Sequence, residues 1–116
     1  MIEKVLLDYL NSKLDCKCYL EVPNPLPKGE FVVFEKMSGT KENMLYNHDF
    51  YFQSYADTMY KATLLNNKVI NALDEANQAI NNSSLVSTKY VRDYNFTDTT
   101  TKKYRYQCIY EIYHLD

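Results

Sequence analysis

The residue types best suited to chemistry in this chain are three cysteines and two histidines: Cys16, Cys18, Cys108, His48 and His114. A zinc site would need the three thiolates to meet one of the histidines, and the C-x-C spacing at Cys16 differs from the C-x(2–4)-C pattern of zinc knuckles. An odd number of cysteines without a signal-peptide pattern also argues against a disulfide framework. The sequence therefore predicts no metal site, and each thiol is expected to act as a small apolar side chain.

The chain shows no pattern typical of nucleophilic or acid–base catalysis. Cys108 and His114 are six residues apart, which on one strand means about 20 Å, too far for direct proton transfer. The acidic pairs Asp74–Glu75 and Glu30/Glu35 have nothing in the sequence to shield them as general acid–base catalysis requires. There is no G-x-S-x-G motif, and two glycines are too few for a phosphate-binding loop. We therefore predict that the protein is not an enzyme and uses no cofactor.

One short segment has the basic and aromatic texture of single-strand nucleic-acid binders. Its basic residues are Lys102, Lys103 and Arg105, which alternate with Tyr104 and Tyr106. The chain as a whole carries a net charge of −2, whereas sequence-independent binding of DNA or RNA needs a basic surface. The charge of the chain therefore argues against sequence-independent binding of DNA or RNA.

Composition predicts a single domain over residues 1–116 that is rich in tyrosine. The chain has twelve Tyr, five Phe and no Trp, and tyrosine suits half-buried sheet surfaces and protein interfaces. No apolar stretch is long enough to span a membrane, and Glu3 and Asp8 interrupt any signal-peptide pattern at the N-terminus. These features predict folding in the cytoplasm.

Apolar periodicity predicts two amphipathic helices. The first covers Met1–Leu14, and the second runs from Thr58 to about Ala79 with Asp57 as its N-cap. The apolar face of the second helix is formed by Ala62, Leu65, Val69, Ala72, Leu73, Ala76 and Ile80.

Alternating and β-branched segments predict four or five strands. They are Cys18–Val22, Phe31–Met37, Met44–Tyr55, Leu85–Tyr94 and Tyr104–Leu115, with a proline-rich loop after the first, a polar connection over Ser38–Asn43 and a long connection over Asn95–Lys103. In the third segment Met44, Tyr46, His48, Phe50 and Phe52 share an apolar face, while Asn47, Asp49, Tyr51 and Gln53 share a polar one. The predicted fold class is α+β, a two-layer sandwich with a mainly antiparallel four- to five-stranded sheet and two helices on one face.

Four segments carry a resemblance to a known family. They are MIEKVLLDYLNSKL (Met1–Leu14), FVVFEKMSG (Phe31–Gly39), FQSYAD (Phe52–Asp57) and YNFTDTTTKKYRYQ (Tyr94–Gln107). Over most of its length the chain resembles the small tail-completion or tail-terminator proteins of long-tailed phages and prophages of Gram-positive bacteria, which are also described as head–tail joining or minor structural proteins. The Cys16–Cys18 and Thr40–Asn43 segments depart from that pattern.

The resemblance implies a structural protein of the virion tail or neck. Such a protein caps the tail tube, ends its polymerisation and offers a joining surface to the head connector, as a ring that is expected to be six-fold. The implied partners are further copies of itself, the tail tube protein and the head–tail connector proteins, and DNA passes through the lumen without specific binding.

Two loops are predicted to form the protein interfaces. The first contains Tyr94, Phe96, Thr97, Lys102 and Lys103, and the second contains Met37, Lys41 and Glu42. Two other functions remain open at this stage: a head-completion or connector protein on the portal side, and a non-catalytic ligand-binding domain. The polar residues Asn47, Asp49 and Gln53 on the open sheet face argue against an apolar ligand pocket there.

Overall fold

The computed structural model describes residues 1–80, 84–97, 100 and 103–116. Its elements, in chain order, are α1 (Ile2–Lys13), β1 (Lys17–Tyr19), β2 (Phe31–Glu42), β3 (Leu45–Ala56), α2 (Met59–Ala79), β4 (Leu85–Asn95) and β5 (Tyr104–His114). The five strands form one sheet in the order β1-β2-β3-β5-β4. Only β1 with β2 is parallel, and the other neighbours are antiparallel. The predicted α+β fold is therefore confirmed.

Both helices form where the apolar periodicity predicts them. In α1 the buried residues Ile2, Leu6, Tyr9 and Leu10 recur at helical spacing. The start of α2 differs by one residue from the prediction, because Thr58 rather than Asp57 is the N-cap: its Oγ1 accepts a hydrogen bond from the Lys61 N–H at 3.1 Å. Threonine is also among the residues preferred at N-caps, although it ranks somewhat below aspartate. Among the described residues, neither helix is long and apolar enough to cross a membrane.

The helices pack on one face of the sheet and enclose the main core. Its fully buried aromatic residues are Phe34, Phe50, Phe52 and Tyr110. Two tyrosines also tie the layers together: Tyr9 Oη donates to the Ala72 carbonyl at 2.6 Å, and Tyr110 Oη donates to Asp74 Oδ1 at 2.7 Å. The burial of Tyr110 and its bond to Asp74 raise the pKa of its hydroxyl. Each of these two tyrosine hydroxyls therefore has an acceptor, as burial of a polar group requires.

The β2–β3 hairpin is longer than the sequence predicts. The Ser38–Asn43 segment, expected as a connection, continues β2 to Glu42, and only Asn43 and Met44 form the turn. Asn43 has φ 56, a left-handed conformation that asparagine tolerates. The sequence is misleading here because every residue from Glu35 to Leu45 is exposed. A hairpin with both faces in water has no apolar alternation to reveal it.

Candidate interaction surface

The sheet face opposite the helices carries a chain of polar and aromatic contacts. Gln53 Nε2 donates to Gln107 Oε1 at 2.8 Å, and Gln107 Nε2 donates to Tyr94 Oη. Phe31 and Tyr55 stack with ring centroids 4.4 Å apart at one end of this face. Local sequence patterns do not single out Gln53 and Gln107, because these residues become neighbours only through the β3–β5 register.

Three of the predicted residues of the first loop lie together around Arg105. The Phe96 ring is 43% exposed, and the Arg105 guanidinium carbon lies 4.2 Å from its centroid. Arg105 Nε also donates to the Phe96 carbonyl at 2.6 Å. Tyr94 packs edge-on against Phe96, with centroids 5.9 Å apart, while the Thr97 N–H donates to Asn95 Oδ1 at 3.0 Å. Lys102 lies outside the described residues.

The Lys103 side chain packs against other segments of the same chain. Its side chain is 14% exposed, and its Nζ lies 3.1 Å from Asp57 Oδ1. The same ammonium donates to the Gly29 carbonyl at 3.0 Å and lies 5.8 Å from the centroid of the Phe31 ring. Lys103 therefore joins the start of β5 to the end of the proline-rich loop and to the β3–α2 junction.

Replacing Lys103 with glutamate is expected to destabilise the fold by about 1–3 kcal/mol. The change removes a donor from the Gly29 carbonyl and places a second carboxylate beside Asp57. Asp57 is exposed, so solvent screening keeps the loss below that of a broken buried ion pair. Urea unfolding of Lys103→Glu should show this loss, and Lys103→Met, which keeps the aliphatic stem, should lose less. Equal stability of wild type and Lys103→Glu would contradict the internal role.

The second predicted loop lies at the opposite end of the sheet. Met37, Lys41 and Glu42 are exposed on the β2–β3 hairpin, and the Lys41 Nζ lies 4.8 Å from the centroid of the Tyr46 ring. The hairpin tip carries Met44, which is 74% exposed. Since β3 spans twelve residues, the two loops lie about 35–40 Å apart along the strands.

The cysteines and histidines do not form a cluster of three or more metal-ligating groups anywhere in the described ranges. Cys18 and Cys108 are buried in the core. Burial raises the pKa of both thiols. The pKa of Cys18 rises to about 12, and the nearby Cys16 contributes a smaller part of that rise. Protonated, buried thiols are poor nucleophiles, in keeping with the predicted apolar role.

The two histidines form a pair that the sequence did not reveal. His48 Nδ1 lies 2.9 Å from His114 Nε2, and His114 Nδ1 lies 2.6 Å from the Asp116 carbonyl oxygen. A carbonyl only accepts, so His114 carries its proton on Nδ1 and His48 donates to Nε2. If His114 were protonated on Nε2 as well, the N–H groups of His48 Nδ1 and His114 Nε2 would face each other and the hydrogen bond would be lost.

Stability is expected to fall as the pH drops below 6.5. Burial is the main cause that lowers the pKa of both His48 and His114, and the Lys36 charge lowers both further. The backbone hydrogen bond to Asp116 raises the pKa of His114, Asp49 raises that of His48, and Glu3 raises both. Because the pKa of each histidine is lower in the folded state, the unfolded chain binds more protons than the folded chain does below pH 6.5. Stability is therefore highest above pH 6.5 and declines as the pH falls toward the folded-state pKa.

Thermal unfolding at pH 7.5 and 5.5 measures this decline. The His48→Gln/His114→Gln variant should show a smaller difference in Tm between the two values than wild type does. A variant with the same pH dependence as wild type would show that other groups are responsible.

Comparison with known proteins finds a similar fold in a chain of a gene transfer agent virion. No protein-family model matches this sequence, and no curated protein matches it. A chain in a solved structure of the virion of a native gene transfer agent particle is similar, with a TM-score of 0.68 and 17% sequence identity. The match covers 97% of this chain and 85% of that chain. The two chains therefore share a fold over nearly their whole lengths.

Proposed function

We propose that this protein is a structural component of a phage-like virion. The observation that carries this proposal is the shared fold with a chain of a gene transfer agent virion, at a TM-score of 0.68 over 97% of the chain. The resemblance of the sequence to tail-completion proteins points in the same direction. The described residues include exposed loops and a sheet face with polar and tyrosine side chains, which suit assembly with other proteins.

Within the virion, we infer the role of a tail terminator. The protein caps the tail tube, stops its polymerisation and presents the head–tail joining surface, as a ring of copies that is expected to be six-fold. The two loop regions lie at opposite ends of the sheet, which suits a subunit that contacts the tube on one side of the ring and the connector on the other. DNA passes through the ring without being read.

The interface residues are part of the same proposal. Tyr94, Phe96, Thr97, Lys102 and Lys103 are proposed to belong to one docking region, and Met37, Lys41 and Glu42 to the other. The internal contacts of Lys103 support a positioning role for it, in which it holds the docking region rather than touching the partner. Exposed Phe96 is the side chain best placed to enter a partner's surface.

Deletion of the gene from an inducible prophage that carries it tests the terminator role. Electron microscopy of the induced lysate should show overlong tails of variable length without heads, because nothing then stops the tube. Tails of normal length lying beside DNA-filled heads would instead identify a head-completion or connector protein on the portal side. Intact virions at normal yield would refute a structural role.

A further inference from the structure

Within the described ranges, most of β2 and the whole of β4 lack a neighbouring strand on their outer sides. The short β1 pairs only with Phe31–Val33 of β2, so in the described part of the chain β2 has no outer partner from Phe34 to Glu42. On the other side, β4 is the last strand of the sheet, and the described residues place no strand beyond Leu85–Asn95. Each edge presents a row of backbone donors and acceptors of similar length, which is a template for pairing with another strand.

The charges of the two edges are opposite on the open face. Glu35 pairs across β2–β3 with Tyr51, and Glu42 pairs with Leu45, so both acids project to the open face at the β2 edge. At the β4 edge, Lys89 pairs with Glu111 and Arg92 pairs with Ile109. In one row the sheet therefore runs from Glu35 through Tyr51 and Ile109 to Arg92. All four charged side chains are exposed.

We propose that the β2 edge of one copy pairs with the β4 edge of a second copy of this chain. In the sheet β2 and β4 run in opposite directions, because each of the steps from β2 to β3, β5 and β4 reverses the strand. A sheet that continues into the next copy with its rows in register therefore sets β4 antiparallel to β2 and brings Arg92 opposite Glu35. Lys89 then lies two rows along, on the side toward Glu42. Opposite charges across such a strand pair are stabilising.

Pairing of an edge with its own copy is disfavoured by the same charges. Two β2 edges would bring together the acids, and two β4 edges would bring together Lys89 and Arg92, and like charges across a strand pair are destabilising. Bulges at Lys36/Gly39 in β2 and at Tyr90/Arg92 in β4 further restrict which strands either edge accepts.

A contact between two different edges is head-to-tail, so it continues from copy to copy and closes into a ring or grows into a filament. The inference thus deepens the proposed function by naming the contact that builds its ring. The sheet edges and their charges alone carry it, so it stands or falls independently of the virion role.

Complementary charge reversal tests the pairing. The first variant, Lys89→Glu/Arg92→Glu, makes both edges acidic, and the second, Glu35→Lys/Glu42→Lys, makes both basic. Sedimentation at low salt and up to millimolar protein should show wild type associating beyond a dimer. Each variant alone should associate at least about tenfold more weakly, and their equimolar mixture should recover association through alternating copies.

A matched control separates edge pairing from net charge. Lys61→Glu/Lys68→Glu changes the net charge by the same amount as the first variant but lies on exposed positions of α2, so it should associate as wild type does. Circular dichroism confirms that each variant is folded. A wild type that stays monomeric, a wild type that stops at a dimer, or variants that fail to recover association on mixing would each overturn the inference.

The tail phenotype after gene deletion distinguishes a failure of the edge pairing from a failure of the proposed function. Edge pairing in vitro together with intact virions after gene deletion would refute the virion role alone. Overlong tails after deletion together with a monomeric wild type would refute the edge pairing alone.

Discussion

Replacing Phe52 with alanine is expected to lower the free energy of unfolding by about 3–5 kcal/mol. Phe52 is fully buried in the middle of β3. Its ring stacks on Phe34 with centroids 5.2 Å apart, and it meets Tyr110 edge-on at 6.2 Å. The ring lies between the sheet and the helices, so the cavity left by alanine cannot be filled by solvent or by a shift of one neighbour.

Urea unfolding measures this loss, and the adjacent residue supplies its control. Tyr51 precedes Phe52 on the same strand but lies on the open face, where it is only partly buried. Tyr51→Ala should therefore cost clearly less than Phe52→Ala, with the same dependence of unfolding free energy on urea. Equal losses would mean that the two faces of β3 are buried alike, contrary to the two-layer architecture.

Gly39→Ala is expected to cost about 1–3 kcal/mol or more, although the residue is exposed. A Cβ at this position would lie 2.3 Å from His48 Cδ2 and 2.5 Å from the Asn47 carbonyl oxygen. The carbonyl belongs to the backbone of β3, and the His48 ring would have to give up its bond to His114 to move. The hairpin must therefore distort to admit a methyl group.

The neighbouring Ser38 offers a matched control, since it is an exposed residue of the same bulged segment. Ser38→Ala should change stability by less than about 0.5 kcal/mol, as is usual for surface positions. Chemical shifts of the His48 ring should move in Gly39→Ala and stay in place in Ser38→Ala. An alanine at position 39 that leaves both stability and the His48 signals unchanged would contradict the close packing at this bulge.

Local sequence patterns predict most of the elements, because they depend on short-range periodicity. The buried positions of α2 follow its predicted apolar stripe, except that buried Asn66 breaks it and donates to Asp93 Oδ2 at 2.9 Å. The strand order and the parallel pairing of β1 depend on contacts between distant segments, which periodicity does not report. The continuation of β2 through Ser38 to Glu42 was not predicted, because strands that face water on both sides show no alternation of apolar residues.

The structure brings Tyr94, Phe96 and Thr97 close to Arg105, but the contacts of the predicted site residues depend on the fold and not on local sequence. The aromatic and basic texture of Tyr94–Gln107 marked a surface of interest, and Phe96 is indeed exposed there. The inward turn of Lys103 depends on Gly29 and Asp57, which are distant in sequence and reach it only through the fold. The histidine pair likewise exists only because β3 and β5 are neighbours.

The pairing of β3 with β5 also sets the order in which the chain can fold. This central ladder joins residues from 48 positions apart, Ala56 with Tyr104, to 68 positions apart, Tyr46 with His114. Closing such long loops costs entropy before any contact repays it, which slows folding relative to helical proteins of this size. During synthesis the edge of β3 that pairs with β5 has no partner until β5 leaves the ribosome. A chain that ends early therefore exposes an unpaired edge beside an apolar face, which is a site for aggregation.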